Sequence, residues 1–524
     1  MKRPLHQREV STHLMPDNSK PPFADAQELE KRGDLPAAAK AYKADLAKFP
    51  GIAEAHHNYA LLLNRLGEAK EALAQSRIAV ELAPENPTIL SALGQYLEAT
   101  GEAEAAMNLY RQCLALNPAH LPSLVNLGRL LNAMDRPDQA VALLEPARER
   151  FSGDRGLLVN LANAYLGVGK PVEAGEAAGL AVSTAPDLAA AHNAAGIAHY
   201  IRRKWPKAAE SFRHAISASP DFAEAHENLA MTLLHTGDWQ QGWAEYEWRW
   251  KNPSNHLTKR ALEGPVWDGT PLDGRTLLLH GEQGYGDTIQ FVRFASVIKK
   301  AGGRVLLSCQ TELVDLLSWA DGVDDAVSLD TGLPAHDCQA PLLSLPKLLR
   351  TEPAAIPQKT PYINVPPDKA VLATEGFKIG VVWAGRSRDI LDPYRNRSCR
   401  PEDLTRLARL DGVQVYSLQT GPSADDCPDG FDDLSPQIKD FTDTARLIQA
   451  MDFIVSVDTA VAHLAGGLGK PTCVALCYAA DWRWGDGHGI APWYPTVQMF
   501  RQDSPGDWAG VVGRIADMIV QKAQ

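Results

Sequence analysis

The strongest candidate for chemistry in this sequence is an apolar, strand-like run that ends in Asp458 and Thr459 and passes directly into a helical pattern, Thr459–Leu468. The first N–H groups of a helix carry a partial positive charge and suit a diphosphate. We therefore expect Asp458, Thr459 and the small residue Ala460 to contact a phosphorylated ligand. His463 lies one turn into the helix and is a second candidate, although a buried structural histidine is the alternative that its position alone favours.

A glycine-rich turn after the predicted strand Thr276–His280 is the second candidate. Gly284 and Gly286 allow a tight turn and a close approach of a ligand to the backbone, and Asp287 follows as a helix begins. No Gly-Lys-Ser/Thr follows, so the turn is not a Walker A loop. Capping of the helix is the alternative role for Asp287, and the turn taken alone favours it.

Arginines follow the predicted strand that ends at Trp383. Guanidinium groups neutralise a departing diphosphate well. We assign this role to Arg386 and Arg397 and leave the neighbouring arginines on the surface, because Asp389 and Asp392 interrupt the run.

Aromatic residues are concentrated between Asp481 and Pro495. They could stack on a nucleotide base or cover a sugar. Packing between two lobes is a nearly equal alternative.

The elements that must position these residues have the pattern of α/β units, because short apolar runs alternate with helical stretches. The predicted strands are Thr276–His280, Arg304–Ser308, Val323–Ser328, Lys378–Trp383, Val413–Leu418, Phe453–Val457 and Thr472–Leu476. The predicted helices are Asp287–Lys300, Arg400–Leu410, Thr442–Met451, Thr459–Leu468 and Asp507–Lys522. A proline-rich linker, Thr351–Pro367, separates two Rossmann-like lobes, about 257–365 and 376–524, and a cleft between such lobes is a natural ligand site.

The first half of the chain is a repeat with a period of 34 residues. Prolines, glycines, alanines and bulky residues each recur in a fixed phase, as at Pro50, Pro84, Pro118, Pro186 and Pro220. Each unit predicts two amphipathic helices that cross at a small residue, and such a unit must stack on its neighbours to bury its apolar face.

This pattern resembles the tetratricopeptide repeat, with about seven units over residues 23–256 after a disordered tail, 1–22. The resemblance implies an α superhelix whose concave surface binds a protein or peptide. Recurring asparagines would form a ladder along that groove and bind the acceptor backbone: Asn58, Asn126, Asn160, Asn193 and Asn228. Hydrogen bonding within the repeat framework is an equal alternative for any single asparagine.

Composition excludes several function classes. The net charge is −12, so there is no broad basic surface for nucleic acid. No apolar run approaches the roughly 20 residues of a membrane span, and the N-terminus lacks the apolar core of a signal peptide, so we expect a cytoplasmic protein. The seven cysteines include no CxxC and predict neither a disulfide framework nor a zinc site.

The stretch from Asp458 to Pro471 resembles the donor-site motif of the family 9 heptosyltransferases, which have the GT-B fold of two Rossmann-like lobes. The turn Gly286–Thr288 resembles that family's Gly-Asp loop, whose aspartate is the proposed base. The sequence departs from the family at Ala460, where Gly or Pro is usual, and in its shorter N-terminal lobe. The resemblance implies an inverting reaction without a metal or other cofactor, in which a nucleotide sugar is the co-substrate.

Repeats followed by a GT-B module also resemble the protein O-GlcNAc transferases and the bacterial flagellin glycosyltransferases. The sequence therefore predicts a protein O-glycosyltransferase whose repeats capture the acceptor. Two alternatives stay open: a transferase acting on a glycan or lipid-linked sugar, and a non-catalytic scaffold with a degenerate transferase half. The sequence does not indicate which oligomeric state the protein has.

Overall fold

The structure is a computed structural model that describes residues 21–255, 257, 264–366, 376–385 and 397–523. Contacts divide the chain into two compact units, Met1–Ala164 and Tyr165–Gln524. Most of the predicted tail lies outside the described residues.

The repeat region is helical, as its period predicts. It contains α1 (Ala24–Lys31), α2 (Leu35–Lys48), α3 (Ala53–Arg65), α4 (Ala69–Leu82), α5 (Pro87–Ala99), α6 (Ala103–Leu116), α7 (Leu121–Ala133), α8 (Pro137–Leu144), α9 (Arg155–Gly167), α10 (Pro171–Thr184), α11 (Ala189–Ile201), α12 (Trp205–Ala218), α13 (Ala223–Thr236) and α14 (Trp239–Tyr246). The first unit holds α1–α8 and most of α9, and the second unit holds the rest.

The turns inside the repeats use left-handed backbone even where glycine is missing. Gly67 and Gly237 have φ of 83° and 90°, and this conformation is cheapest for glycine. Asp135 and Arg203 occupy the same phase with φ of 59° and 55°. The backbone repeat is therefore more regular than the sequence repeat.

Small residues set the distance between the helices of a repeat. A Cβ added to Gly94 would lie 2.6 Å from the Tyr110 ring, and one added to Gly196 would lie 2.4 Å from Phe212. In these repeats a bulky residue of the second helix thus packs against a glycine of the first helix.

Two sheets follow the repeats in the second unit. The first contains β1 (Thr276–His280), β2 (Arg304–Cys309), β3 (Asp325–Ser328) and β4 (Cys338–Pro341), all parallel in the order β3-β2-β1-β4. The second contains β5 (Phe377–Val382), β6 (Val413–Ser417), β7 (Asp432–Asp433), β8 (Phe453–Val457), β9 (Thr472–Leu476), β10 (Gly489–Ala491) and β11 (Tyr494–Arg501). Its order is β10-β11-β9-β8-β5-β6-β7, and only the β10–β11 pair is antiparallel.

The helices around the sheets are shorter than predicted in two places. They are α15 (Tyr285–Phe291), α16 (Ala295–Lys300), α17 (Val314–Leu317), α18 (Leu345–Leu348), α19 (Pro401–Leu404), α20 (Phe441–Ala450), α21 (Ala460–Gly467) and α22 (Trp508–Ala523). The single helix predicted over Asp287–Lys300 is wrong, because a 3₁₀ turn at Val292–Phe294 divides it into α15 and α16. The helix predicted over Arg400–Leu410 is likewise reduced to α19 and a 3₁₀ turn.

The last repeat helices share a hydrophobic core with the α/β region. Trp239, Trp243 and Tyr246 of α14 are at most 5% exposed and belong to the same apolar cluster as the buried strands β1, β5, β8 and β9. The predicted linker also packs on this region, since the Tyr362 N–H donates to the Gly467 carbonyl. The α/β region and the last repeat helix therefore share one hydrophobic core, while α11–α13 of the same unit form a smaller cluster around Trp205 and Phe212.

Candidate functional site

The two predicted motifs meet at the start of α15 and α21. The glycine-rich turn leaves the carboxyl end of β1, and the Asp-Thr turn leaves the carboxyl end of β8. A Cβ added to Gly286 would lie 2.9 Å from His463 Cδ2 and 3.5 Å from Ala460 Cα. We call the residues that meet here the candidate site: Gly284, Gly286, Asp287, Asp458, Thr459, Ala460 and His463.

Asp287 is held by two groups. Its Oδ2 accepts a hydrogen bond from the Gly284 N–H at 3.0 Å, so Asp287 does cap the helix, which is the alternative role that its position in the sequence suggests. Its Oδ1 lies 2.5 Å from Nη2 of Arg483. The carboxylate is 20% exposed, which leaves part of it open to solvent.

Arg483 is the residue of this region that the sequence motifs missed. Its guanidinium is 9% exposed and also contacts Asp481 Oδ1 at 2.9 Å and Gln290 Oε1 at 2.9 Å. Burial alone would lower the pKa of Arg483, but Asp481 and Asp287 hold it well above its usual value. The sequence did contain a signal for this residue, because an arginine lies among tryptophans. Such surroundings indicate a buried guanidinium, and a buried guanidinium requires carboxylate partners.

Asp458 lies at the same edge with a side chain 17% exposed. Burial raises the pKa of Asp458 to about 6, with a further rise from Asp481 and an opposing effect of Arg397. Thr459 is the N-cap residue of α21, and its hydroxyl lies 3.0 Å from the Ser456 hydroxyl. The N–H groups of Ala460 and Val461, the first two residues of α21, have no i−4 carbonyl within the helix and can face an anion. The Ala462 N–H already donates to the Thr459 carbonyl.

His463 occupies a structural environment. It is 5% exposed, its Nδ1 lies 2.8 Å from the Tyr494 hydroxyl, and its ring stacks on Trp484 at 5.2 Å. Burial, with Arg483 and Arg293, holds the pKa of His463 well below its usual value. The imidazole is therefore neutral and fixed, as the structural alternative predicts, while its Nε2 lies 4.0 Å from Asp458.

The arginine predictions have different outcomes. Arg397 lies beside the loop after β5, where a Cβ added to Gly385 would be 3.0 Å from Arg397 Nε. Its charge also acts on Asp458, so it is near the candidate site. Arg386 lies outside the described residues. Arg400 is 78% exposed and pairs with Asp403, in agreement with its assignment to the surface.

The aromatic stretch is packed rather than open. Trp482, Trp484, Trp493 and Tyr494 are at most 3% exposed. Trp482 and Trp493 pack against α14, with ring centroids 5.2 Å from Trp243 and 5.4 Å from Trp239, respectively. Packing between the lobes is present where the Trp493 ring lies 5.6 Å from Phe291, but the same rings also pack against the last repeat helix. These four rings form no stacking surface for a base.

Three of the five repeat asparagines make hydrogen bonds within the repeat framework. In the first unit, Asn160 Nδ2 donates to the Val125 carbonyl at 2.9 Å. In the second unit, Asn228 Nδ2 donates to Asn193 Oδ1 and Asn193 Nδ2 donates to Glu224, both at 3.0 Å. Asn193 and Asn228 thus follow one another as a ladder requires, but their amides are already engaged.

Asn58 and Asn126 are half-buried on α3 and α7. Binding of an acceptor by the set of five asparagines stays a prediction. Within the described residues, no group of three or more His, Cys, Asp or Glu could hold a metal ion. None of the helices described has the length and apolar character needed to cross a membrane.

We expect Gly286→Ala to destabilise the second unit by about 1–3 kcal/mol, because the added methyl group meets a His463 ring that stacking and a hydrogen bond hold in place. Urea unfolding followed by tryptophan fluorescence measures this, since all 12 tryptophans lie in the second unit. Gly284→Ala is the control, because its nearest neighbour is at 3.4 Å. Equal losses in the two variants would contradict the close approach.

The raised pKa of Asp458 predicts a dependence of stability on pH. A carboxyl group whose pKa is higher in the folded state binds its proton more tightly there, so its contribution is present below about pH 4 and is lost as the pH rises through about 6. Asp458→Asn should therefore gain about 1–3 kcal/mol relative to wild type between pH 4.5 and pH 7. Asp517→Asn, at a side chain 72% exposed, is the control. A difference between Asp458→Asn and wild type that does not change with pH would refute the prediction.

The chain carries tetratricopeptide repeats in its N-terminal region, followed by a C-terminal α/β region of largely parallel sheets. Tetratricopeptide-repeat profiles match residues 23–87, 97–155 and 193–247. Beyond the repeats, the sequence is similar to Protein FlbA of Caulobacter vibrioides. The two are 24% identical across 80% of this chain and 82% of that protein.

Several solved structures of repeat proteins each match part of the chain. The tetratricopeptide-repeat protein YrrB covers 36% of it and 96% of its own length, with 23% identity and a TM-score of 0.31. Pseudomonas aeruginosa PilF covers 39% and 93%, with 19% identity and a TM-score of 0.35. A thermophilic tetratricopeptide-repeat protein of Thermus thermophilus covers 35% and 100%, with 18% identity and a TM-score of 0.30.

Proposed function

We propose that this protein is a glycosyltransferase that moves a sugar from a nucleotide sugar to a Ser or Thr hydroxyl of a protein held by the repeats. The observation that carries the proposal is the close approach of Gly286, in the turn after β1, to Ala460 and His463 of α21, the helix that follows the Asp458–Thr459 turn after β8. Two sheets that meet at their carboxyl ends are the arrangement in which a GT-B enzyme would hold its donor.

The donor diphosphate is assigned to the start of α21. Its N–H groups, with Arg397 and Arg386, would stabilise the negative charge that develops on the leaving group. Asp458 and Thr459 supply an acceptor and a hydroxyl at the same edge. Gly284 and Ala460 are small enough for the diphosphate to approach the backbone, whereas the space beside Gly286 is taken by the His463 ring.

Asp287 is the proposed base. In the reaction, the acceptor oxygen forms a bond to the anomeric carbon, the bond from that carbon to the diphosphate breaks, and its electron pair leaves with the nucleotide. Asp287 takes the acceptor proton. The Asp287 carboxylate is 20% exposed, so part of it can face an acceptor hydroxyl while Oδ1 contacts Arg483.

The repeats support a protein acceptor, because tetratricopeptide repeats bind proteins. Such repeats are matched here at residues 23–87, 97–155 and 193–247. The similarity to Protein FlbA extends over 80% of the chain, so it is not limited to the repeats. The resemblance to flagellin glycosyltransferases suggests flagellin as the acceptor to try first. The expected location is the cytoplasm.

Thermal-shift titration with ADP-, UDP-, GDP- and CMP-sugars tests the donor site. A bound donor at 100 times its Kd adds about 2.7 kcal/mol to stability. We expect one nucleotide class to raise the melting temperature, and Thr459→Ala to reduce that shift. Thr405→Ala, at the end of α19, is the control. No shift with any nucleotide sugar would favour the scaffold alternative.

A further inference from the structure

The glycine-rich turn that carries Asp287 is braced by the chain segment that follows the last repeat helix. Arg249 belongs to the 3₁₀ turn after α14 and is fully buried. Its Nη2 lies 2.9 Å from Glu282 Oε1 and 2.8 Å from Ser344 Oγ, and its Nη1 lies 2.9 Å from Glu247 Oε1. Glu282, itself 2% exposed, lies five residues before Asp287.

Gln283, the next residue of the turn, is also held by the end of the last repeat helix. The Tyr246 hydroxyl donates to Gln283 Oε1 at 3.1 Å, and Gln310 Nε2 donates to the Gln283 carbonyl at 2.7 Å. Gln310 Oε1 in turn accepts a hydrogen bond from the Thr288 hydroxyl at 3.0 Å. Both ends of the turn are therefore tied to one hydrogen-bond network.

Helix α14 also supports the loop that provides Arg483. The Trp243 ring lies 5.2 Å from Trp482 and 5.9 Å from Phe291, in edge-to-face contacts. Trp482 precedes Arg483, and Phe291 ends α15. The carboxylate of Asp287 and its guanidinium partner thus both rest on the last repeat.

We propose that Tyr246 and Arg249 are positioning residues that fix the Gly281–Asp287 turn, so that the last repeat sets the place of the candidate base. This inference rests on the proposed function for its catalytic meaning, but not for the bracing itself. A displacement of a base by about 1 Å costs on the order of 100-fold in rate. A single neutral hydrogen bond, such as that of Tyr246, corresponds to about a five-fold effect.

Tyr246→Phe tests the inference in the full-length chain, because it removes one hydroxyl and keeps the ring in the core. We expect amide hydrogen exchange of residues 281–288 to become about five times faster, while exchange of β9 stays unchanged. Tyr96→Phe in α5 is the matched control. Arg249→Lys should also speed exchange of the turn, because one ammonium cannot reach Glu282, Ser344 and Glu247 together.

The second readout is transfer from the nucleotide sugar found in the binding screen. We expect Tyr246→Phe to lower kcat about five-fold and leave the KM for the donor unchanged, since the first turn of α21 is untouched. The inference would be overturned if amide hydrogen exchange of residues 281–288 in Tyr246→Phe equalled that of wild type, or if only the KM changed. Failure of the proposed function is distinct: Asp287→Asn would then match wild type, whatever the exchange of the turn shows.

Discussion

Asp287→Asn is expected to reduce glycosyl transfer by about 10²–10⁴-fold, because it removes the group that accepts the proton of the acceptor hydroxyl. The asparagine oxygen can still accept the Gly284 N–H, and Arg483 keeps Asp481 as a partner. The donor KM should therefore change little. Initial rates with the nucleotide sugar found by thermal shift, at saturating acceptor, measure the loss.

Asp481→Asn separates the base from the ion pair. It removes the other carboxylate that contacts Arg483 but leaves Asp287 in place. We expect a loss of less than about ten-fold in this variant, as for a group that acts on charge alone. If the transfer rate of Asp481→Asn were as low as that of Asp287→Asn, Asp287 would act through Arg483 and the helix cap rather than as the base.

Arg249→Met is expected to destabilise the second unit by about 3–5 kcal/mol, because breaking a buried ion pair leaves its partner uncompensated. Glu282 would then keep only the Leu343 N–H on its Oε1. Burial already raises the pKa of Glu282 to about 7 against the effect of Arg249, and loss of that guanidinium would raise it further. Urea unfolding followed by tryptophan fluorescence measures the loss.

The double variant Arg249→Met/Glu282→Gln is the control for this prediction. It removes both charges, so it should recover at least half of the stability that Arg249→Met loses. A double variant that is no more stable than Arg249→Met would show that shape or the Ser344 contact, rather than the charge pair, holds this point of the fold.

The strands that lead into the candidate site could be predicted from the sequence because they are the most buried elements. The strands Thr276–His280, Phe453–Val457 and Thr472–Leu476 have the predicted bounds, since continuous apolar runs between polar turns leave little choice of register. The short edge strands β4, β7 and β10 were missed, because two to four residues carry no period.

Contacts between distant segments could not be predicted. Arg483 and Asp287 are 196 residues apart, and Arg249 and Glu282 belong to regions that periodicity assigns to different folds. Propensity also missed the left-handed turn at Arg203, where no glycine marks the phase. Its side chain instead forms an ion pair with Asp486, a contact of the three-dimensional structure rather than of the repeat.

The asparagine prediction shows a further limit. A side-chain amide in a repeated position can bind a peptide or its own framework, and the spacing is the same in both cases. The bonds of Asn193 with Asn228 and Glu224 favour the framework for these two residues. A bound acceptor peptide would have to compete with those bonds.

The central claim is transfer of sugar from a nucleotide to a protein, and one measurement tests it most directly. The full-length chain is incubated with the radiolabelled nucleotide sugar from the binding screen and with flagellin or a mixture of soluble bacterial proteins. Released nucleotide and protein-bound sugar are then counted in the same reaction. The proposed function predicts equal amounts of the two, both lost in Asp287→Asn. Nucleotide release without protein-bound sugar, or neither product, would contradict it.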